Sequence, residues 1–200
     1  LTGECRKDMK YWLKYLSTWN GRRQWRTGLP TIIATDASLS GFGVHMVHSP
    51  AIVPSYLSVG AGAWCRSHRH LIASHSDIQW GELFAVTYTA VLLGKWLSGT
   101  SIVFLVDNEA DVTIINRQST RSPILLSLLR ILYSVATEHN IDIQARHIPG
   151  VDNTIADSLS RLTSTNTGSG SGSGVGVVGV GVGGDLVDCC SCSMAVPTIN

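Results

Sequence analysis

The chain has 200 residues, 44% of them apolar, and a formal charge of +1. That is enough for one ordinary domain with appendages, and it gives no steering by bulk charge. Five cysteines (Cys5, Cys65, Cys189, Cys190 and Cys192) are an odd count with three crowded into the tail, which is no disulfide framework, and no apolar run approaches the roughly 20 residues that cross a bilayer.

Residues 1–29 form a basic first segment. Arg6, Lys7, Lys10, Lys14, Arg22, Arg23 and Arg26 stand against Glu4 and Asp8, a balance that fits a nucleic-acid contact and fits a solvated face equally well. Trp12, Leu13, Leu16 and Trp19 fall near helical spacing, so they are expected to pack against a neighbour, and Asn20-Gly21 ends the pattern. The chain starts at Leu1 and shows no signal peptide. The expectation is a piece of a longer polyprotein in a reduced, intracellular setting, cytoplasmic or nuclear, with no membrane contact.

Residues 30–163 read as strands followed by helices. "TIIATDAS" and "GFGVHMVH" form a hairpin turning at Ser40-Gly41, and a third strand is expected near "AIVPSYLSV", weakened by Pro54. "DIQWGELFAVTYTAVLLGKWL" is the strongest helix, apolar on more than one side, and "SIVFLVDN" is a buried-strand run. Helices over "EADVTIINRQ" and "SPILLSLLRILYSVATEHN" follow, the second with Ser122 as N-cap and Pro123 at its first position. A strand "IDIQARHI" closed by Pro149-Gly150 and a short helix "NTIADSLSRL" complete the zone. Alternation after a starting hairpin predicts an α/β fold, a mixed sheet flanked by helices. Residues 164–200 include "GSGSGSGVGVVGVGVGG" and are expected to be a flexible linker and disordered tail.

Four acidic residues stand out. Asp36 and Asp107 each end an apolar strand, Glu82 lies in the first turns of the apolar helix, and Asp157 lies in the last helix. If the first strand and "IVFLVDN" are parallel neighbours, Asp36 and Asp107 meet where open α/β sheets bind ligands, outside the carboxyl ends of their strands. Four carboxylates in one pocket are tolerable only when protonated or neutralised by cations. Oxygen ligands suit Mg²⁺ first and Mn²⁺ second, and two such ions about 4 Å apart serve phosphodiester chemistry, one activating a water and the other stabilising the leaving oxygen. The plainer alternative is that an Asp at a strand end caps a turn.

"TDASLSGFGVHM", "GELFAV", "FLVDNEADVTIINRQSTRS" and "RHIPGVDNTIADSLSRL", in that order over residues 30–162, resemble the ribonuclease H domain of retroelement reverse transcriptases. The wording is most similar to DIRS-type, tyrosine-recombinase retrotransposons, and "YWLKYLSTWNGR" is similar to the stretch joining polymerase to ribonuclease H there. The resemblance implies a ribonuclease H-like fold, a mixed five-stranded sheet with three antiparallel and two parallel strands. It implies a metal-dependent endonuclease cutting the RNA strand of RNA–DNA hybrids during reverse transcription, partnered by an upstream polymerase of the same polyprotein. Asp36 would touch both ions, Glu82 and Asp107 the one near the leaving group, and Asp157 the one carrying the attacking water. Many cellular members place a histidine in a loop before the last aspartate. His147 and His139 match that position poorly, and neither is assigned a catalytic role. The basic helical extension of some cellular members has no counterpart between Gln118 and Ser122, so hybrid grip would fall to Arg117, Arg121 and the amino-terminal basic stretch. Backbone groups near Ser38 to Gly41, and side chains such as Asn108, are the expected readers of ribose 2′-hydroxyls.

Other groupings are weaker. Cys65, His68, His70 and His75 lack the tight paired spacing of a zinc site. His45 and His48, three apart on a strand, point to opposite faces, while Trp80 and Trp96 are expected in the core. Two rivals remain open: a non-catalytic connection domain that holds the hybrid for a polymerase, and an integrase- or transposase-like DNA nuclease on the same fold. The second group ends its acidic set with a glutamate, where this chain has Asp157.

Overall fold

The computed structural model describes residues 2–19, 28–64, 69–72 and 78–162. Five strands make one sheet in the order β3-β2-β1-β4-β5, with β1 at Thr31–Ala37, β2 at Gly41–His48, β3 at Val59–Ala63, β4 at Ser101–Val106 and β5 at Asp142–His147. β1, β2 and β3 pair antiparallel, whereas β1, β4 and β5 run parallel. This is the mixed five-stranded sheet with flanking helices that the motif order implies. The β1–β2 turn is drawn closed by Ser38, whose N–H donates to the Gly41 carbonyl at 2.8 Å.

The expected third strand is displaced. Around Pro54 the chain forms a 3-10 turn over Ser55–Leu57, and β3 begins only at Val59. Proline has no N–H to give a ladder, so pairing starts where the sequence becomes the small-residue run "VGAGA".

Among the described residues, five α-helices accompany the sheet: α1 (Gly3–Trp19), α2 (Ile78–Leu93), α3 (Glu109–Arg117), α4 (Pro123–Glu138) and α5 (Thr154–Arg161). α2 is buried nearly all round, Leu83, Phe84, Ala85 and Val86 included, as a helix without a polar face must be. It packs between the sheet and α4, and Phe84, Phe104, Ile33, Leu93, Ile102 and Leu132 fill the space. α4 starts as its sequence specifies, with Ser122 Oγ accepting from the Leu125 N–H and Pro123 in the first turn.

α5 covers the opposite face of the sheet. Neighbouring residues of a strand point to opposite sides: Phe42 meets Phe84 of α2, so Gly43 faces the other way, onto α5. A Cβ at Gly43 would sit 2.7 Å from Leu159 Cβ and 2.7 Å from the Ser160 nitrogen. Only glycine lets this helix lie so close to β2.

One expectation about the tryptophans and one about the first helix need revision. Trp80 is core, but Trp96, in the turn after α2, is 43% exposed. On α1 the apolar stripe is largely exposed: Trp12, Leu13 and Leu16 are 52%, 76% and 56% exposed. The helix docks instead through Tyr11, whose hydroxyl donates to the Tyr133 carbonyl at 3.1 Å and bonds Thr137, and through Asp8, paired with Arg130 at 3.0 Å. The expected linker and tail (164–200), and Cys65, His68 and His75 of the weak zinc grouping, lie outside the described residues. No helix among the described residues is long and apolar enough to cross a membrane.

Candidate metal centre at the strand ends

β1 and β4 are parallel neighbours, with Thr31 opposite Ile102 and Ala34 opposite Leu105, so their carboxyl ends share one edge. Asp36 stands at this edge in β1 and Asp107 directly follows β4. α2 crosses above and brings Glu82 down, held by the Ala37 N–H donating to Glu82 Oε1 at 3.0 Å. One carboxylate oxygen from each of Asp36, Glu82 and Asp107 lies within 4.8 Å of the others.

Such a cluster is electrostatically expensive in the absence of cations. Asp36 is pushed up to about 6, by burial first, with Asp107 and Asp157 adding repulsion and the Ser160 hydroxyl working against both. Burial pushes Glu82 well above the usual carboxylate range, and Asp107 and Asp36 push it further. Asp107 is also raised, again chiefly by burial, with His147 pulling it down. Glu82 Oε2 is buried and has no hydrogen-bond partner. Three converging carboxylates, one with an unsatisfied buried oxygen, are a donor set for a hard divalent ion. The residues present fit one.

Asp157 comes toward the same edge from the opposite face of the sheet, on α5, but is not a member of the three-carboxylate group. Its Oδ1 accepts from Arg161 Nε at 2.9 Å and also from the terminal guanidinium nitrogen. Its charge still reaches Asp36 and Asp107.

Several side chains that hold this edge together do not declare themselves in the sequence. Ser160 is fully buried and donates from Oγ to Asp36 Oδ2 at 2.6 Å. Asn153, also buried, donates from Nδ2 to the Thr35 carbonyl at 2.9 Å, tying the start of α5 to β1. His147 ends β5 with Nε2 3.2 Å from the Asp107 carbonyl oxygen. Asp111, one helical turn beyond Asp107, is fully buried, and burial pushes it up to about 7 with the Gln79 side chain working against the shift. Serine three residues after Asp157 was a visible signal only to a reader who already knew that α5 lies against β1.

The expected substrate-reading residues divide. Ser38 is occupied structurally: its Oγ lies 2.7 Å from the Ser160 carbonyl and accepts from the Ser40 and Gly41 N–H groups. Gly41 opens β2 with its own N–H and C=O both used in that turn. Asn108 caps α3, with Oδ1 accepting from Ala110 and Asp111 N–H groups at 3.0 and 3.4 Å. Arg117 ends α3 and Arg121 follows it, both exposed.

No protein-family model matches the chain, and no curated protein matches it. Among solved structures, it is similar to ribonuclease H1 from the halophilic archaeon Halobacterium salinarum NRC-1 at 14% identity and TM-score 0.49, covering 70% of this chain and 100% of that one. LC11-RNase H1, solved in complex with an RNA/DNA hybrid, aligns at 18% identity and TM-score 0.46, over 64% of this chain and 91% of that one. The foamy viral protease-reverse transcriptase, also solved with an RNA/DNA hybrid, aligns at 13% and 0.47, over 78% of this chain and 26% of that one. Likenesses at this level carry no weight in assigning a function, which rests on the motifs and the site geometry.

Proposed function

We propose that the domain is a metal-dependent endonuclease that hydrolyses the RNA strand of RNA–DNA hybrids, as part of a retrotransposon reverse transcriptase with an upstream polymerase as its partner. The observation that carries this reading is the convergence of Asp36, Glu82 and Asp107 within 4.8 Å at the carboxyl ends of two parallel strands. The order of the four sequence motifs supports it independently. Mg²⁺, as two ions with Mn²⁺ as a substitute, is the cofactor the oxygen-only donor set favours.

When bound, the ions supply an activated water and neutralise charge on the scissile phosphate. The chain does the positioning. Asp36, fixed by Ser160, and Glu82, fixed by the Ala37 N–H, present oxygens whose orientation is set before substrate arrives. Asp107 would be the third residue to hold the ions, and Asp157 on α5 would add the fourth carboxylate. Asn108 uses Oδ1 in the cap, which leaves Nδ2 for a ribose 2′-hydroxyl. Ser38 and Gly41 support the turn beneath the RNA strand, and Arg117 and Arg121 meet phosphates of the hybrid, contacts that position without reading sequence.

The connection-domain rival is favoured by one observation, the engagement of Asp157 by Arg161. Matched substrates decide. In Mg²⁺ the protein should cut the RNA of a hybrid and spare DNA duplex, RNA duplex and single-stranded RNA. Hybrid binding without cutting would favour the connection domain, and cutting of DNA duplex would favour the integrase-like nuclease.

A further inference from the structure

Asp157 and Arg161 are one helical turn apart on α5, so their side chains emerge on the same face. The pairing is unusual in form. A guanidinium fork commonly spreads over both oxygens of a carboxylate; here Nε and the terminal nitrogen both donate to Oδ1. The pair sits in water, with the arginine side chain 67% exposed and the aspartate 37%, and exposed pairs of this spacing hold weakly. The helix beneath them is fixed: Ser160 is buried on Asp36 and α5 lies against Gly43. The arginine side chain can therefore leave Asp157 while the backbone stays in place.

The charge has a reason to be there. Asp157 faces the combined field of Asp36 and Asp107, and the Arg161 guanidinium offsets that field at Asp36 as well. A cation is thus already engaged at the fourth carboxylate, and it is the one a second divalent ion would have to displace. Arg161 is also suited to a phosphate, since its donors bind phosphate oxygens in the same fork geometry.

We propose that Arg161 is the resting counter-ion of Asp157, holding it out of the acidic cluster until a hybrid phosphate draws the guanidinium away, so that the second metal ion and the substrate enter together. The proposal rests on the nuclease reading above and adds a positioning role for Arg161 within it.

The test is Mn²⁺ binding to the full 200-residue chain, by calorimetry and by electron paramagnetic resonance of free ion, in wild type, Arg161→Ala, Arg161→Lys and Asp157→Asn. Wild type should bind one ion tightly and a second weakly. Arg161→Ala should tighten the second ion about three- to tenfold, since a positive charge a few ångströms away is removed. Arg161→Lys, which keeps the charge without the fork, should fall between and guards against a folding defect in the alanine variant. Asp157→Asn should lose the second ion alone. Steady-state cleavage should show Arg161→Ala raising KM for hybrid more than it lowers kcat at saturating Mg²⁺. Unchanged second-ion affinity in Arg161→Ala, in a wild type that binds ions and cuts hybrid, overturns the counter-ion role and leaves the nuclease reading intact. A wild type that neither binds ions nor cuts hybrid overturns both.

Discussion

Asp36 illustrates how one carboxylate is kept usable in a hostile place. Burial and two acidic neighbours, Asp107 and Asp157, favour its protonated form, and the Ser160 hydroxyl at 2.6 Å, helped by the Arg161 guanidinium, stands against them. Ser160→Ala should therefore do two things. It should cost about 1–3 kcal/mol of stability in urea unfolding, because a buried charged acceptor loses its partner. It should also lower cleavage while the ion requirement rises, because Asp36 no longer has a fixed rotamer. Unchanged Mg²⁺ dependence would argue that Ser160 serves packing alone. Asp36, Glu82 and Asp107, which the structure brings together, stand out in the sequence because each places a carboxylate at the end of an apolar strand or inside an apolar helix; Asp157 stands out beside them but lies outside that group. The roles of Ser160, Asn153 and His147 do not show in the sequence, since their partners lie 124, 118 and 40 residues away, and an asparagine just before a helix looks like any cap.

The elements were read more easily than their edges. β1, β2, β4, β5 and α2 to α5 follow from period and capping signals, and Ser122-Pro123 marked the start of α4 to the residue. β3 lies beyond the strand expected near Pro54 because Gly and Ala carry little strand signal, and the exposed stripe on α1 shows that periodicity reports an apolar face but not what covers it. α5 depends on a glycine one strand away. Gly43→Ala should push α5 off β2, since its Cβ would meet the Ala156 carbonyl, Leu159 and Ser160. The expected result is a loss of about 1–3 kcal/mol in thermal or urea unfolding, as for overpacking elsewhere. Cleavage should fall disproportionately, at least tenfold by the loss of geometry at Asp36 and Asp157. A variant as stable and active as wild type would mean that α5 is not held where the structure has it.

Across the molecule, the parallel β1–β4 pair is what turns separate sequence motifs into one centre, and the acidic edge it creates has a signature in stability. Asp36 and Asp111 titrate near 6 and 7 in the fold, against 3.8 as the ordinary value. The native state thus holds more protons than the unfolded chain between about pH 4 and pH 7, so these groups make stability fall as pH rises through that window. The ordinary carboxylate trend is the reverse. Thermal unfolding without divalent ions should show a lower Tm at pH 7.5 than at pH 5. Millimolar Mg²⁺ should raise Tm at pH 7.5 and do little at pH 5, where protons compete for the ligands. A Tm that climbs steadily with pH and ignores Mg²⁺ would contradict the acidic centre as described.

The most direct trial is cleavage of an end-labelled RNA–DNA hybrid by wild type and by Asp36→Asn, with Mg²⁺ and with EDTA. The asparagine keeps the shape of the side chain and removes its charge. RNA cutting that needs Mg²⁺, leaves 3′-hydroxyl and 5′-phosphate ends and disappears in Asp36→Asn is the predicted result. Equal cutting by the asparagine variant, or cutting that survives EDTA, would contradict a metal centre built on Asp36, Glu82 and Asp107.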